Sequence, residues 1–392
     1  MKKNIMSVLA LVMALVMAMT VCTFAAAEGA ENVIRIGIFE PASGDSGAGG
    51  KQETLGVQYA NKVQPTVMIG DTEYTVELIN ADNGSSADKA PSAASELVSK
   101  NVSVVLGSYG SGVSIAGSPK FAEAGIPAIG ISCTNPQVTE GNTHYFRICF
   151  LDPFQGTVLA NYAFNQLGAT TAYCLAELGN DYDQGLSYYF QEEFKRLGGV
   201  VIADSFPTGT ADFTSYLTNA QMLEAGVFFA PCSIAYDTQI IDQAAAMGVE
   251  FPLMGGDTWD SNKVAEAATG SDLTVLVSTF YQEGGNPEFD EGIKAWMNEN
   301  PEAMTNNGGN DMVAAVTAMG YDAYFTALEA IKLAGSADSK AVNDALWNVQ
   351  YNGVSGAIAF NETGDAIRDT AFIKSIDTAT GSWTFVCEQK VD

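Results

Sequence analysis

Histidine is nearly absent from this 392-residue chain, which carries only His144, and cations are few: 18 lysines and arginines stand against 46 aspartates and glutamates, for a net charge of −28. A single histidine removes most histidine-ligated metal sites and most imidazole acid–base chemistry. His144 itself falls at the start of an expected strand, where a structural role suffices. The four arginines, Arg35, Arg147, Arg196 and Arg368, are scattered singly. With no clustered cations to neutralise phosphates, nucleic acid is excluded as a partner. Low-complexity tracts and internal repeats are also missing, which excludes a solenoid. The cysteines, Cys133, Cys149, Cys174, Cys232 and Cys387 after an N-terminal Cys22, are too widely spaced for a disulfide framework. Buried free thiols with one bridge at most are expected.

What is there is a foldable composition: 47% apolar residues, with 20 Phe, 15 Tyr and 4 Trp. Such a chain buries enough apolar surface to fold, and its length suits two units of about 150 residues each. The one long apolar run, Ile5 to Ala18, follows Lys2-Lys3 and precedes Ala25-Ala26-Ala27. Basic start, short apolar core and small-residue end predict a secretory signal peptide over residues 1–27. The run is shorter than the ~20 residues of a membrane span. Cys22 follows Thr20-Val21 rather than a small residue, so a lipid anchor there is not expected. The chain is expected to be secreted across the cytoplasmic membrane, to a periplasmic or cell-surface location, with neither metal nor cofactor.

From Val33 onward, short β-rich runs alternate with helical segments, a rhythm that predicts parallel sheets in an α/β fold. Ten strands are expected between residues 33 and 279, among them Val33–Phe39, Tyr74–Asn80, Thr171–Leu175 and Leu273–Thr279. After Asp183, Leu186, Phe190, Phe194 and Leu197 recur at three- and four-residue spacing until Gly198-Gly199 ends the helix. Met312 to Ala334, with Asp311 as its expected cap, is apolar nearly all round but broken by Asp322, Glu329 and Lys332, as a buried core helix would be. Gly353–Phe360, Phe372–Asp377 and Trp383–Cys387 are expected as an antiparallel finish.

Ligands of open parallel sheets sit beyond the carboxyl ends of the strands. One such loop, Ser108-Tyr109-Gly110-Ser111-Gly112, leads into a helix, and the next is Gly130-Ile131-Ser132-Cys133-Thr134-Asn135-Pro136. Free backbone N–H groups with the hydroxyls of Ser111, Ser132 and Thr134 suit a carboxylate; the plainer reading is that Ser132 and Thr134 cap their own turn. Asp152, Tyr182 and Asp257 also fall at strand ends. Two carboxylates facing a cleft suit an ammonium group, although aspartates at such places also serve as helix N-caps.

These stretches carry a resemblance. Ser132 to Pro136, Arg147, Leu151-Asp152-Pro153-Phe154-Gln155-Gly156, Asn180-Asp181-Tyr182-Asp183-Gln184-Gly185, Asp212-Phe213 and Met254-Gly255-Gly256-Asp257 are similar to type I periplasmic solute-binding proteins, specifically the branched-chain amino acid (Leu/Ile/Val) family that feeds ABC transporters. The resemblance implies two Rossmann-like lobes with parallel central sheets, joined by a three-segment hinge. Lobe 1 would comprise 33–151 and 280–350, and lobe 2 would comprise 152–279 and 351–392. It implies a small amino acid ligand, its carboxylate at Ser111, Ser132 and Thr134 and its ammonium at Asp152, Tyr182 and Asp257. A membrane permease would be the partner, and a monomer the working form. Two positions depart from the family: Gly49 replaces an aromatic of the side-chain pocket, and a tyrosine is missing near Cys232. Tyr109, Trp259, Phe280 and Tyr281 are the remaining candidates for pocket walls. Catalysis is not expected, since no cysteine has a histidine partner beyond His144. A sensory or sugar-binding member of the fold, with Trp259 stacked on a sugar ring, is the competing reading.

Overall fold

The structure, a computed structural model, describes residues 32–390. The expected signal peptide and Cys22 lie outside them. Two sheets organise the chain. The first contains β1 (Val33–Glu40), β2 (Thr66–Ile69), β3 (Thr72–Asp82), β4 (Val104–Leu106), β5 (Ala128–Gly130) and β6 (Tyr145–Arg147), in the spatial order 2-3-1-4-5-6. All pairs are parallel except β2 with β3. Ile34, Ile36, Ile38 and Phe39 of β1 are all buried, because helices cover both faces of such a sheet. β2 was not foreseen; it is a short edge strand that pairs with β3 across the turn at Gly70-Asp71.

The second sheet takes β7 (Thr171–Glu177), β8 (Val200–Phe206), β9 (Val227–Phe229), β10 (Leu253–Gly255) and β11 (Val275–Thr279) as a parallel set. A hairpin of β12 (Gln350–Gly353) and β13 (Gly356–Ala359) stands apart, and β14 (Thr370–Asp377) and β15 (Ser382–Lys390) then extend the second sheet antiparallel, giving the order 15-14-11-10-9-7-8. The two-lobed α/β architecture is thus as expected. One detail is corrected: the single strand expected over Gly353–Phe360 is a hairpin turning at Val354-Ser355. Asp322 shapes that turn, accepting the N–H groups of Val354 (2.9 Å) and Ser355 (2.8 Å). The hairpin therefore rests on the long helix Ala315–Ala334, which carries Asp322 and packs in lobe 1.

That helix starts at Ala315 with Ala314 as its cap, not at Met312; Asp311 instead accepts from Asn298. It crosses the helix Gly47–Val63 in backbone contact: a Cβ on Gly56 would meet the Thr317 carbonyl at 2.0 Å, and one on Gly320 the Glu53 carbonyl at 2.2 Å. Only glycine permits this approach, and it anchors Glu53 beneath the cleft. None of the described helices is long and apolar enough to cross a membrane. The helix after β7 runs Asp181–Arg196 with Leu186, Phe190 and Phe194 buried; Asn180 caps it, accepting from the N–H groups of Tyr182 and Asp183. The five described cysteines are free, four of them buried.

The chain passes between the lobes three times: after β6, after β11, and between β13 and β14. Two of the four arginines tie the first and third passages together. Arg147, fully buried, pairs through Nε with Asp365 Oδ1 (2.5 Å) and donates to the carbonyls of Cys133 and Asn135. Arg368 donates to the Ile148 carbonyl (2.9 Å) and to Ser355. A buried guanidinium is tolerated here because its donors are met by a carboxylate and carbonyls. The second passage is packed against the first by Phe280 on Phe150, ring centres 4.3 Å apart.

Candidate functional site

The strand ends of the two sheets face each other across a cleft of about 460 Å³, within the usual range for small-molecule sites. Tyr109, Ser111, Tyr182 and Thr258 line its inner end. Contacts between the lobes close it over: Tyr109 Oη donates to the Thr258 carbonyl (3.4 Å), Asn135 Nδ2 to the Asp181 carbonyl (2.8 Å) and Ser46 Oγ to Ser233 Oγ (3.3 Å).

The hydroxyl wall belongs to lobe 1. Ser111 opens the helix Ser111–Ala124, and its Oγ accepts the N–H of Asn135 (3.2 Å), so the two expected donor loops are joined and the Ser111 proton remains free to donate. Thr134 is buried with no partner for Oγ1. Ser132 differs from expectation: its hydroxyl donates to Glu53 Oε1, which withdraws it from the direct clamp.

The carboxyl wall belongs to lobe 2. Asp257 begins a short turn after β10, and its Oδ1 accepts the Tyr182 hydroxyl at 3.0 Å. Asp152 is the first residue of the helix Asp152–Asn161, fully buried, with neither oxygen bonded. Neither aspartate caps a helix. Burial raises the pKa of Asp152 to about 8, with Thr134 nearby lowering it and Asp257 raising it. Burial likewise lifts Asp257 to about 7 against the lowering influence of Gln155 and Tyr182. The Arg147 guanidinium favours the ionised form of Asp152 without bonding to it, and no lysine or arginine lines the cleft.

Sequence reasoning missed a second acid pair behind Tyr109. Glu40 Oε2 accepts the Tyr109 N–H (2.8 Å), and Glu53 faces Glu40 from the helix Gly47–Val63. Burial comes first in raising both, Glu53 to about 8, and Glu40 is pushed further by Glu53 itself. A glutamate next to Gln52 in a helix reads as solvated; nothing local signals that Gly56 and Gly320 press this helix inward.

Three of the expected pocket walls are corrected. Trp259 is fully buried under β10, where a Cβ on Gly255 would strike its ring, and it does not line the cleft. Phe280 belongs to the passages between the lobes. Tyr281 donates to Asp290 Oδ1 (2.9 Å) and packs on Phe289, away from the cleft. Tyr109 does line the cleft and also explains Gly49, since a Cβ there would lie 2.4 Å from its ring. We expect Gly49→Ala to cost about 1–3 kcal/mol through overpacking, with Tyr109→Ala suppressing most of that cost in a double-mutant cycle of denaturant melts; additive effects would contradict the shared space.

Two lobes, a hinge of three passages, and a cleft with hydroxyls on one wall and buried carboxyls on the other define a receptor that takes a small molecule between its lobes. The chain belongs to the periplasmic binding protein family, whose profile matches residues 33–380. The Leu/Ile/Val-binding protein homolog 1 of Brucella abortus (strain 2308) is 27% identical over 353 residues, which cover 88% of this chain and 90% of that one. Among solved structures, the leucine binding protein LivK of Thermotoga maritima superposes with a TM-score of 0.81 at 29% identity, covering 91% of this chain and 99% of its own. LivJ of Streptococcus pneumoniae, a branched-chain amino acid transporter substrate binding protein in complex with isoleucine, gives 0.78 at 25% identity, covering 92% and 99%. The family is one of extracytoplasmic solute-binding proteins, not of enzymes.

Proposed function

We propose that this protein is the substrate-binding component of an ABC importer, capturing a free amino acid between its lobes and presenting it to a membrane permease. The observation that carries the reading is the polarity of the site: the Ser111 hydroxyl, whose proton is free to donate, and the unpartnered Thr134 hydroxyl belong to one lobe, and the Asp257–Tyr182 pair and Asp152 to the other. A zwitterion fits that arrangement, its carboxylate on the hydroxyls and the adjacent N–H groups, its ammonium on the carboxyls. Ser132 acts through Glu53 in this reading, and Tyr109 closes the site against Thr258. Residues 1–27 direct secretion, Cys22 carries no lipid, and a monomer docks both lobes on the permease. Branched-chain amino acids are the ligand class the relatives' names suggest.

The test is a thermal-shift screen of the protein, unfolded and refolded to remove carried-over ligand, against the twenty amino acids and common sugars. Ligand at 100 times its Kd stabilises by about 2.7 kcal/mol. A shift with one or a few amino acids is expected; a response to sugars alone would refute the zwitterion site.

A further inference from the structure

Lys374, in the middle of β14, is the only buried lysine among the described residues, 2% exposed. Its Nζ lies 3.2 and 3.0 Å from the two oxygens of Asp260, which is buried too, and Asp260 Oδ2 also accepts the Thr279 hydroxyl at 2.5 Å. Asp260 closes the turn that carries Asp257 and Thr258: its N–H donates to the Asp257 carbonyl (3.1 Å), and that of Trp259 to the Gly256 carbonyl (3.2 Å). One residue further on, the Ser261 carbonyl accepts the indole N–H of Trp383 in β15 (3.3 Å).

Stability alone does not account for an ion pair in this place, because taking two charges out of water costs about as much as their attraction returns. What the pair adds is direction. Donors from two neighbouring strands, Thr279 of β11 and Lys374 of β14, hold one carboxylate, so the turn has one seat on the sheet. β11 ends where the second passage between the lobes begins, and the third passage leads into β14. The turn seated there presents Asp257 to Tyr182 and the Thr258 carbonyl to Tyr109 of the opposite lobe.

Resting on the zwitterion reading above, we propose that Lys374 and Asp260 are positioning residues of the ligand site: their ion pair fixes the turn so that Asp257 meets the ammonium group and Thr258 meets Tyr109. Neither lines the cleft, so both act through the turn.

Two charge-free pairs test this: Lys374→Gln with Asp260→Asn, and Lys374→Met with Asp260→Leu. The amide pair keeps a donor on β14 and an acceptor on the turn, whereas the apolar pair only fills the volume. Refolded proteins are titrated with each of the twenty amino acids. The amide pair is expected to bind within about threefold of the unsubstituted protein, and the apolar pair about tenfold or more weaker although it melts no lower. Thr279→Val removes one donor without changing the shape and should also weaken binding, so the result does not depend on the folding of the apolar pair. Hydrogen exchange of the empty proteins reads the turn without ligand: the amides of Trp259 and Asp260 should exchange about tenfold faster in the apolar pair than in the amide pair. Undiminished affinity in both the apolar pair and Thr279→Val would overturn the proposal and leave the zwitterion site standing. Binding of no amino acid by the unsubstituted protein would refute the zwitterion reading, and equal exchange in the two pairs would then overturn the positioning role as well.

Discussion

Asp257→Asn is expected to lower amino acid affinity by about 100-fold or more while leaving the empty protein as stable as before, or more so. Asp257 has a single formed side-chain hydrogen bond, from Tyr182, and Tyr182 lines a cleft without lysine or arginine. Truncating one partner of a desolvated, hydrogen-bonded charge pair ordinarily costs about 2–5 kcal/mol in binding. Stability moves the other way, because burial already penalises the Asp257 carboxylate, and an amide keeps the shape without the charge. Titration calorimetry and thermal melts on the same preparation separate the two effects. Undiminished affinity in Asp257→Asn, with loss in Asp152→Asn, would move the ammonium to Asp152.

The second large effect is on pH dependence. Asp257 is raised to about 7 and Asp152 and Glu53 to about 8, each chiefly by burial, and Glu40 is raised too. A carboxyl raised on folding binds its proton more tightly in the native state than in the unfolded chain, whose carboxyls titrate near ~4. Between about pH 4 and pH 8 the native protein therefore holds more protons, and its stability falls as pH rises. Asp82 and Glu193 have lowered values, held down by hydrogen bonds, from Ser43 and nearby backbone N–H groups in the first case and from Arg196 in the second; their contribution disappears below the usual carboxylate range. The empty protein is thus expected to be most stable near pH 5 and to melt roughly 10 °C lower at pH 8. Ligand affinity should rise over the same interval, since the ammonium requires ionised Asp257, and protons should be released on binding. Melts across pH and calorimetry in buffers of different ionisation heat measure both. A flat melting profile from pH 5 to 8 would show that these carboxyls titrate normally.

The local signals in the chain were good guides to its elements. Alternation of β-rich runs with helical spacing located ten of the eleven strands between residues 33 and 279, all but the edge strand β2, because a parallel strand covered on both faces must be apolar along its length. Leu186, Phe190 and Phe194 located a helix face for the same kind of reason. Errors fell where capping or pairing depended on something distant. Asp311 was credited with a cap that Ala314 occupies, and the turn inside Gly353–Phe360 exists because Asp322, some thirty residues earlier, holds Val354 and Ser355.

For the site, residue type and position at a strand end were enough to nominate Ser111 and Tyr182, which line the cleft, Asp257, which bonds to Tyr182, and Thr134 and Asp152, which are buried with unpartnered side-chain oxygens. Those chemistries are written locally: a loop rich in glycine and hydroxyls after one strand, an acid after another. Occupancy of space is not. Trp259 turns into the core, Tyr109 fills the volume above Gly49, and Glu53 captures Ser132 from seventy-nine positions away. Each is a competition for volume or for a hydrogen-bond partner between segments that meet only when the lobes fold. Periodicity and composition therefore determine the elements and the sign of the charges, while packing decides which side chains reach the ligand and which acids are left facing one another.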